Sequence, residues 1–477
     1  MWFSFLLPCL LYVNAAEWQK LPEHHDFYGI YLNGQKVGYQ ETTLKKNTTG
    51  ARALLVAHER MYTRMRGMGQ EVEVKIESDY QFDWNTGVLV WMQFSQTMPQ
   101  SQIHIKGQAQ ANKLHLDMQV GTQTTSLPDE PLESAQDHFA AELLALVTDP
   151  NKRLPTGTTR KLMLFVAPLQ KRLEHVITLQ LQEKRTFNGA DTWVSAIDLK
   201  VNELGFNNSA LYDAQGRLLE NHTAQQMTIR LEDEKRAKDM SYVQDILISS
   251  VVKSDQVFKN PYVVKKMRAV LSGVDQYPVP ESAMQQVKKT ETGIEISTQR
   301  QTIDESKALP WPIQNVAFKD TLQPTPLIQS THPDIVQLAK RIVGSEKNSF
   351  LAAQKLLQWV FKNLKKAYTP AISNALETLH SMQGDCGEHA ALFVALSRAI
   401  GIPANPVVGI TYWPSGQGFG YHAWAQIYTG EWLVVDPTQG SMGVDATHIQ
   451  LAQGDLFEQA KMMTLIGQLK VHVISFQ

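Results

Sequence analysis

The chain has 477 residues, which is too long for one ordinary hydrophobic core and predicts two or three domains of roughly 100–200 residues each. Hydrophobic residues make up 43% of the sequence and charged residues 19%, values typical of a folded protein rather than a disordered one. Lys and Arg total 45 and Asp and Glu total 47, so the net charge gives no reason to expect nucleic acid or an acidic membrane as a partner.

The N-terminus is a short apolar stretch. Residues 1–13 are rich in Leu, Phe and Trp, and Asn14, Ala15 and Ala16 follow before the chain becomes polar. This pattern predicts a signal peptide over residues 1–15, and therefore an exported protein in the periplasm or outside the cell. The stretch is too short to cross the ~30 Å apolar core of a bilayer as a helix. No later segment is apolar for long enough either, so we predict no transmembrane segment in the mature chain.

Cysteine occurs at two positions, Cys9 and Cys386. Cys9 lies in the predicted signal peptide, so the mature chain would keep one thiol and could form no internal disulfide. An exported protein that retains one oxidisable thiol needs a reason for it, such as burial or catalysis. Cys386 is therefore the first candidate for a functional residue.

The first half of the chain carries mainly strand signals. Residues 16–125 are predicted as a β-rich domain, in which Asn33-Gly34 indicates a hairpin. Residues 126–255 are predicted as a second β-rich region, with a short helix over residues 138–147. Neither region has a charged stripe, a fixed repeat or a Cys/His cluster that would indicate a ligand.

The pattern changes in the second half. Residues 256–325 are predicted as a linker or small α+β segment, with a short helix over residues 261–271 and a strand near residues 293–297. Helical periodicity then predicts helices over residues 333–343 and 349–366. The predicted fold class is therefore α+β, with β-rich N-terminal domains followed by a C-terminal domain over residues 326–477.

Cys386 lies at the start of a predicted buried helix. Gly384 breaks the preceding segment and Asp385 is a favoured N-cap residue, which places Cys386 in the first turn. Gly401 and Pro403 end the helix. The backbone N–H groups and dipole at a helix N-terminus favour negative charge, so this position predicts a lowered thiol pKa. Without this context, a Cys on an apolar helix would be interpreted as a core residue.

A base and a carboxylate are predicted to meet on a β-hairpin. Residues 420–428 alternate like a strand that carries His422, and residues 431–438 form a second short strand that ends near Asp436. Antiparallel pairing across the turn brings the carboxylate beside the imidazole. There it can fix the tautomer of His422 and stabilise the imidazolium. Cys386, His422 and Asp436 are the predicted catalytic residues.

Four motifs in this order resemble the transglutaminase-like superfamily: Gly384-Asp385-Cys386, Arg398-Ala-Ile-Gly-Ile-Pro403, His422-Ala423-Trp424 and Asp436-Pro437-Thr438. The resemblance covers residues 326–447 and implies a papain-like α+β core. It implies Cys386 as nucleophile, His422 as base and Asp436 as the orienting carboxylate. The β-rich regions are similar to accessory regions of exported bacterial relatives.

Three further residues are candidates for the substrate cleft. The resemblance implies an oxyanion held by the nucleophile's own N–H and by a second, upstream donor, for which Gln383 is a candidate. Trp424 is predicted to wall the cleft, since it shares a strand face with His422. Trp413 belongs to residues 411–420, which are rich in Gly and aromatic residues and form either a flap over the cleft or a plain connection.

Other polar residues near these motifs are interpreted as structural. His389 is predicted to point into the core or to a neighbouring carboxylate, and Asp385 and Glu388 to serve the start of the helix. His24-His25 is interpreted as a solvated pair, because no third ligand is evident. We predict no metal site and no cofactor, and we find no calcium-loop signature.

The predicted function is that of an exported cysteine-dependent acyl-transfer enzyme acting on amide bonds of protein or peptide substrates, cell-wall peptide among them. Water would resolve the acyl-enzyme in a protease or amidase, and an amine would resolve it in a transglutaminase. The sequence leaves both open. The alternatives are a catalytically inactive transglutaminase-like binding module and a structural protein whose β domains are spacers.

Overall fold

Most of the chain is folded into antiparallel strands, in line with the alternating apolar pattern of its sequence. The computed structural model describes residues 22–477 except 33, 51, 68–69, 99–100, 121–122, 133–153, 167–170, 188, 205, 224–226, 241–250, 275–276, 314–315, 368–373, 455–461 and 463–464. The chain divides into two units between residues 245 and 246. The signal peptide predicted for residues 1–15 and the helix predicted for residues 138–147 lie outside the described residues and stay predictions.

One antiparallel sheet of 15 strands makes up the N-terminal unit, in the order β10-β11-β12-β13-β14-β15-β1-β2-β3-β4-β5-β6-β7-β8, with β9 paired to β7. The described elements are β1 His24–Leu32, β2 Gln35–Asn47, β3 Leu54–Gly67, β4 Gln70–Asp83, β5 Leu89–Met98, β6 Ser101–Gln110, β7 Lys113–Val120, β8 Gln123–Ser126, β9 Glu130–Pro131, β10 Thr159–Val166, β11 Lys171–Phe187, β12 Ala190–Val201, β13 Phe206–Asp213, β14 Leu218–Thr223, β15 Met227–Glu232 and the short helix α1 Glu234–Ala237.

The first strand joins the two predicted β-rich ranges. β1 pairs with β2 on one edge and with β15 on the other, where Leu32 lies opposite Met227. Strands from residues 16–125 and from residues 126–255 therefore share one sheet. Alternation along a strand reports which face is buried but carries no information on which strands lie beside it. The hairpin predicted at Asn33-Gly34 is confirmed, since Leu32 pairs with Gln35 and Gly34 has a φ of 78°.

The C-terminal unit combines helices with three small sheets, in the orders β25-β24-β23-β22-β26 with β16 added on β23, β18-β19-β17-β27, and β20-β21. Its described elements are β16 Val252–Lys253, β17 Lys266–Ser272, β18 Gln285–Thr290, β19 Gly293–Gln299, α2 Lys319–Leu322, α3 Pro333–Val343, α4 Ser349–Asn363, β20 Lys365–Lys366, α5 Ala375–Ser381, β21 Gln383–Gly384, α6 Cys386–Ala399, β22 Ala404–Trp413, β23 Gly418–Tyr428, β24 Trp432–Asp436, β25 Ser441–Met442, β26 Ile449–Gln453 and β27 Lys470–Phe476.

The helix predicted over residues 261–271 is wrong. A 3-10 turn over Pro261–Val263 is followed by the strand β17. Met267, Ala269 and Leu271 are buried while the residues between them face outward, a period of two that a helix cannot satisfy. β17 pairs with β19 on one side and with the strand β27 on the other, so residues 256–325 contribute strands to a sheet.

The helix α6 lies at the centre of the core of the C-terminal unit. It packs against α3, α4 and α5 on one side and against β22 and β23 on the other. Leu392, Phe393 and Val394 are all fully buried, which agrees with the predicted helix that is apolar on nearly every face. The buried helix therefore fixes the position of its first residue, Cys386, inside the domain.

Among the described residues, no helix has both the length and the hydropathy needed to span a bilayer.

Candidate active site

The first turn of α6 is closed by a capping box. Asp385 is the N-cap residue, and its Oδ1 accepts a hydrogen bond from the N–H of Gly387 at 2.9 Å. Glu388 reaches back, and its Oε2 accepts a hydrogen bond from the N–H of Asp385 at 2.8 Å. The predicted N-cap is confirmed, and Cys386 becomes the first residue of the helix.

The folded-back Glu388 side chain explains the glycine before the cap. A Cβ atom at position 384 would lie 2.3 Å from the Cβ of Glu388, far inside van der Waals contact. Gly384 therefore provides the space that Glu388 needs to complete the capping box.

The predicted hairpin between the base and the carboxylate is also present. β23 and β24 pair antiparallel from Tyr428 opposite Trp432 to Ala425 opposite Val435. Just beyond the last pair, His422 Nε2 and Asp436 Oδ2 are 2.8 Å apart. The contact that the sequence predicted for these two side chains is therefore formed.

Asp436 is held by the backbone as well as by His422. Its Oδ1 accepts hydrogen bonds from the N–H of Thr438 at 2.7 Å and of Gln439 at 3.1 Å. Burial opposes ionisation of this fully buried carboxyl, but the charge and hydrogen bond of His422, and then the charge of His448, hold the pKa of Asp436 well below its usual range. Asp436 is therefore a fixed carboxylate.

His422 connects the carboxylate to the thiol. Because Nε2 engages Asp436, Nδ1 is the nitrogen left for the hydrogen bond with Cys386. Burial alone would lower the pKa of His422, but the charge and hydrogen bond of Asp436, together with Cys386, raise it to about 10. The imidazolium form is thus favoured next to the thiol.

The thiol of Cys386 does not have the lowered pKa that its place at a helix start predicts. Cys386 keeps part of its surface exposed to solvent, yet burial of the thiol raises its pKa and the charge of Asp385 raises it further. The hydrogen bond with His422 and the backbone N–H of Ala423 act in the opposite direction. Desolvation is the largest influence on the pKa of this thiol, and His422 is the side chain that favours the thiolate.

The three cleft candidates occupy different positions. Gln383 is half-buried in β21, which pairs parallel with β20 just before Cys386. Trp413 is half-buried at the end of β22. Trp424 is only 1% exposed and packs with Val407 and Val434 in an internal cluster, so it lies within the protein and not on an open cleft wall.

Trp424 contacts the site from inside the domain. Its ring centroid lies 5.9 Å from that of His422, with the planes tilted by 30°. In a strand, residues two apart share a face, so the large indole packs beside the imidazole and limits its rotation. Trp424 therefore supports the base.

Residues 411–420 form the tip of a hairpin and not an open flap. β22 runs to Trp413, a 3-10 turn occupies Pro414–Gly416, and β23 begins at Gly418. Phe419 is fully buried and pairs with Val252 of β16. The plain connection is the alternative that fits this segment.

His389 has a structural environment, as expected. Its Nδ1 and the backbone carbonyl oxygen of Asp385 are 2.7 Å apart, which closes the first turn of α6. Burial lowers the pKa of His389, and its side chain is directed away from solvent. His389 thus stabilises the start of the helix.

Sequence reasoning missed His448. This residue precedes β26 and is fully buried, with Nε2 at 3.6 Å from Asp436 Oδ2 and Nδ1 at 3.5 Å from Asp445 Oδ2. The sequence contains Asp445 and His448 three residues apart, but no turn or periodicity links them to Asp436. Asp445 and His448 approach Asp436 only because β26 pairs with the edge of β22 that faces away from β23.

His422, Asp436 and His448 have the residue types of a metal site, with donor atoms within 4.8 Å of one another. Around a tetrahedral ion such as Zn²⁺, ligand atoms stand about 3.3 Å apart. The His422 and Asp436 atoms are 2.8 Å apart, a direct hydrogen bond that leaves no room for an ion between them. The geometry fits a hydrogen-bonded triad better than a metal centre.

Comparison with known proteins places this site in a family. Residues 336–437 match the model of the transglutaminase-like superfamily. This segment is a transglutaminase-like core domain. It contains Cys386, His422 and Asp436, while His448 lies beyond it. The predicted fold class, α+β with a β-rich N-terminal region before a transglutaminase-like domain, is confirmed.

Two individual proteins are similar over part of the chain. An uncharacterized protein of Mycobacterium leprae is 29% identical over 133 residues, which cover 25% of this chain and 46% of that protein. The chain thus spans about half the length of this curated relative. A solved structure from Cytophaga hutchinsonii, a candidate cysteine protease, is 16% identical with a TM-score of 0.31, over 45% of this chain and 87% of that one.

Proposed function

We propose that this chain is an exported, cysteine-dependent acyl-transfer enzyme that acts on amide bonds of protein or peptide substrates. One observation carries the proposal: Asp436 holds His422 at 2.8 Å through Nε2, and Cys386 is close enough to the same imidazole to raise its pKa. This is the nucleophile, base and orienting-carboxylate arrangement of covalent acyl transfer. The transglutaminase-like core domain supports the assignment of the three roles.

In the proposed reaction, the Cys386 thiolate attacks the amide carbonyl carbon and forms a C–S bond, while the carbonyl electron pair moves to oxygen. The backbone N–H of Cys386 can stabilise this oxyanion, with Gln383 as the candidate second donor. The C–N bond then breaks, and ammonia or an amine leaves with a proton from His422. An acyl-enzyme and a neutral imidazole remain.

The second half of the reaction decides the product. His422 takes a proton from the incoming water or amine, which attacks the thioester carbonyl and releases Cys386. Water gives a carboxylic acid, as in a protease or amidase, and an amine gives a new amide, as in a transglutaminase. Asp436 stays ionised throughout and holds the imidazole in place.

The location proposed for the enzyme rests on its N-terminus. The signal-peptide pattern over residues 1–15 supports export to the periplasm or the exterior. In those compartments the available amide substrates are polypeptides and cell-wall peptide. Both classes therefore belong in a first substrate screen.

The alternative is a transglutaminase-like binding module without activity. It is supported by the direction of the Cys386 pKa, which burial raises. A thiol that stays protonated near neutral pH would attack carbonyls slowly. The two functions differ in whether His422 activates the thiol.

The experiment that separates them is the rate of Cys386 alkylation against pH in the wild type and in His422→Ala. Mass spectrometry of the peptide that contains Cys386 keeps Cys9 out of the measurement. We expect the wild-type rate to rise at a lower pH than the rate of the variant, because His422 lowers the thiol pKa.

A matched control is His472→Ala, which removes an exposed imidazole paired with Asp255. It should leave the alkylation profile unchanged. A rate that rises only above about pH 8 in the wild type and in His422→Ala alike would contradict the enzyme and favour the binding module. An active thiol justifies the substrate screen, in which ammonia release with and without an added amine distinguishes hydrolysis from transfer.

A further inference from the structure

Asp436 Oδ2 lies between two imidazoles. His422 Nε2 is 2.8 Å from this oxygen and His448 Nε2 is 3.6 Å from it. The two rings contact each other edge to face, with centroids 5.8 Å apart. The other oxygen, Oδ1, is occupied by backbone N–H groups. At 3.6 Å, His448 Nε2 is beyond hydrogen-bond distance of Oδ2, so these two groups interact through charge.

The groups that face His448 come from four elements. The ionisable ones are Asp445 on its own segment, Asp436 at the end of β24 and His422 on β23. The neutral neighbours are Thr411 of β22, with Oγ1 at 3.4 Å from Nδ1, and the Trp424 ring, with a centroid distance of 5.2 Å. His448 thus has one carboxylate near each ring nitrogen.

Burial and the two carboxylates compete for the protonation state of His448. Burial by itself lowers the pKa of this imidazole, but the adjacent carboxylates of Asp436 and Asp445 raise it to about 9. Asp445 is itself fixed, since its Oδ1 accepts a hydrogen bond from the N–H of Thr447 at 2.8 Å. At neutral pH the pair of buried carboxylates is therefore matched by a buried cation.

We propose that His448 is a positioning residue of the triad, whose charged imidazole holds Asp436 in place together with His422 and favours ionisation of Cys386. This inference rests on the proposed function. His448 lies behind Asp436 and needs no contact with substrate. Its contribution reaches the thiol through the carboxylate and through its charge.

The sign of the effect follows from electrostatics. A positive charge favours proton loss from every neighbouring group, so neutralising His448 raises the pKa of the Cys386 thiol and of the His422 imidazolium. The effect disappears at a pH above the pKa of His448, where the wild type has no charge there either. A purely structural role, such as packing on Trp424, would alter stability but leave the pH dependence of the thiol in place.

The test is the pH profile of Cys386 alkylation in the full chain with His448→Gln. We expect the rising part of the profile to move up by about one pH unit, or about tenfold in rate at a fixed pH on that part. The profiles of variant and wild type should converge at alkaline pH. His472→Gln is the matched control, and it should show no shift.

His448→Gln leaves Asp445 as an unpaired buried carboxylate, which can prevent folding. The double variant His448→Gln/Asp445→Asn removes both charges, and we expect a shift in the same direction but smaller, because His448 is the nearer charge to Asp436. In the wild type, NMR with ¹⁵N-labelled histidine should show a charged imidazole near neutral pH, assigned to His448 by its absence from the double variant. A neutral imidazole at His448 would overturn the inference.

The failures of the two proposals can be told apart. If His422→Ala shifts the profile and folded His448→Gln or the double variant does not, His448 is only structural and the proposed function stands. If His422→Ala also leaves the profile unchanged, both proposals fall.

Discussion

Buried ionisable groups are treated differently in the two units of this chain. In the N-terminal sheet, Glu59 is buried with one side-chain partner, Gln40 Nε2 at 2.7 Å, and burial raises its pKa to about 8. In the C-terminal unit, His422 and His448 both approach one oxygen of Asp436, and His422 also interacts with Cys386. Burial alone neutralises a carboxyl, whereas burial among opposite charges keeps it ionised. The difference separates a structural polar group from a site that can move protons.

The largest effect should come from removing the charge at the centre of the site. Asp436→Asn takes away the main cause that raises the pKa of His422, so the imidazolium is lost at lower pH and the thiolate loses its partner. We expect alkylation of Cys386 at neutral pH to fall on the order of 10–100-fold. Stopped-flow alkylation against pH checks this. An unchanged rate would mean that Asp436 does not control the base.

The corresponding substitution in the N-terminal sheet, Glu59→Gln, should make the protein more stable. Because the pKa of Glu59 rises from 4.5 to about 8 on folding, the carboxyl takes up a proton and the folded state loses stability as pH rises through this window. Glu59→Gln should stabilise the protein at pH 8 on the order of 2–4 kcal/mol relative to wild type and remove this pH dependence. Urea denaturation at two pH values measures both.

Glu73→Gln is the control for this substitution, since Glu73 is an exposed residue of β4. It should leave the pH dependence of stability intact. A variant at Glu59 that is less stable than wild type at both pH values would show that the carboxyl is ionised and paired in the folded state.

A smaller effect is expected where backbone geometry supports the site. Gly384→Ala would place a Cβ 2.3 Å from that of Glu388 and push this side chain out of the capping box. We expect a loss of about 1–3 kcal/mol in the free energy of unfolding, measured by chemical denaturation. Gly50→Ala, where the nearest atom is 3.7 Å away, is the control and should change little. Equal effects in both variants would refute the role assigned to Gly384.

The smallest effect concerns the residue before the nucleophile. The charge of Asp385 raises the pKa of Cys386, so Asp385→Asn should move the alkylation profile to lower pH by less than about one unit. Asn keeps a side-chain oxygen for the N–H of Gly387, which preserves the cap. The control is Glu388→Gln, which changes the other acidic residue of the capping box. A shift to higher pH in Asp385→Asn would mean that the cap, and not the charge, controls the thiol.

The parts of the site that the sequence predicted well are local ones. Asp385 as N-cap, α6 behind it and the hairpin that joins His422 to Asp436 all follow from residues within a few positions of each other. Capping, turn chemistry and apolar period act over one or two turns, so a sequence pattern can report them. The helix predicted over residues 261–271 failed because a short apolar run fits either period until its partners are known.

The residues that sequence reasoning misplaced or missed depend on distant partners. Trp424 lies inside the domain because Val407 and Val434 from neighbouring strands enclose it. His448 reaches Asp436 only because β26 pairs with β22. Strand partners are chosen by the packing of the whole sheet, which no short segment contains.

By itself, the sequence determined the helix that begins at Cys386, the hairpin that carries His422 and Asp436, and the membership of residues 336–437 in the transglutaminase-like superfamily. Only the tertiary structure decided that β1 joins both predicted β-rich ranges, that burial raises the pKa of the Cys386 thiol, and that His448 shares Asp436 with the base. The physical reason is the range of the forces involved. Caps and turns are settled between neighbours in the chain, whereas strand pairing, desolvation and charge depend on which distant residues fold into contact.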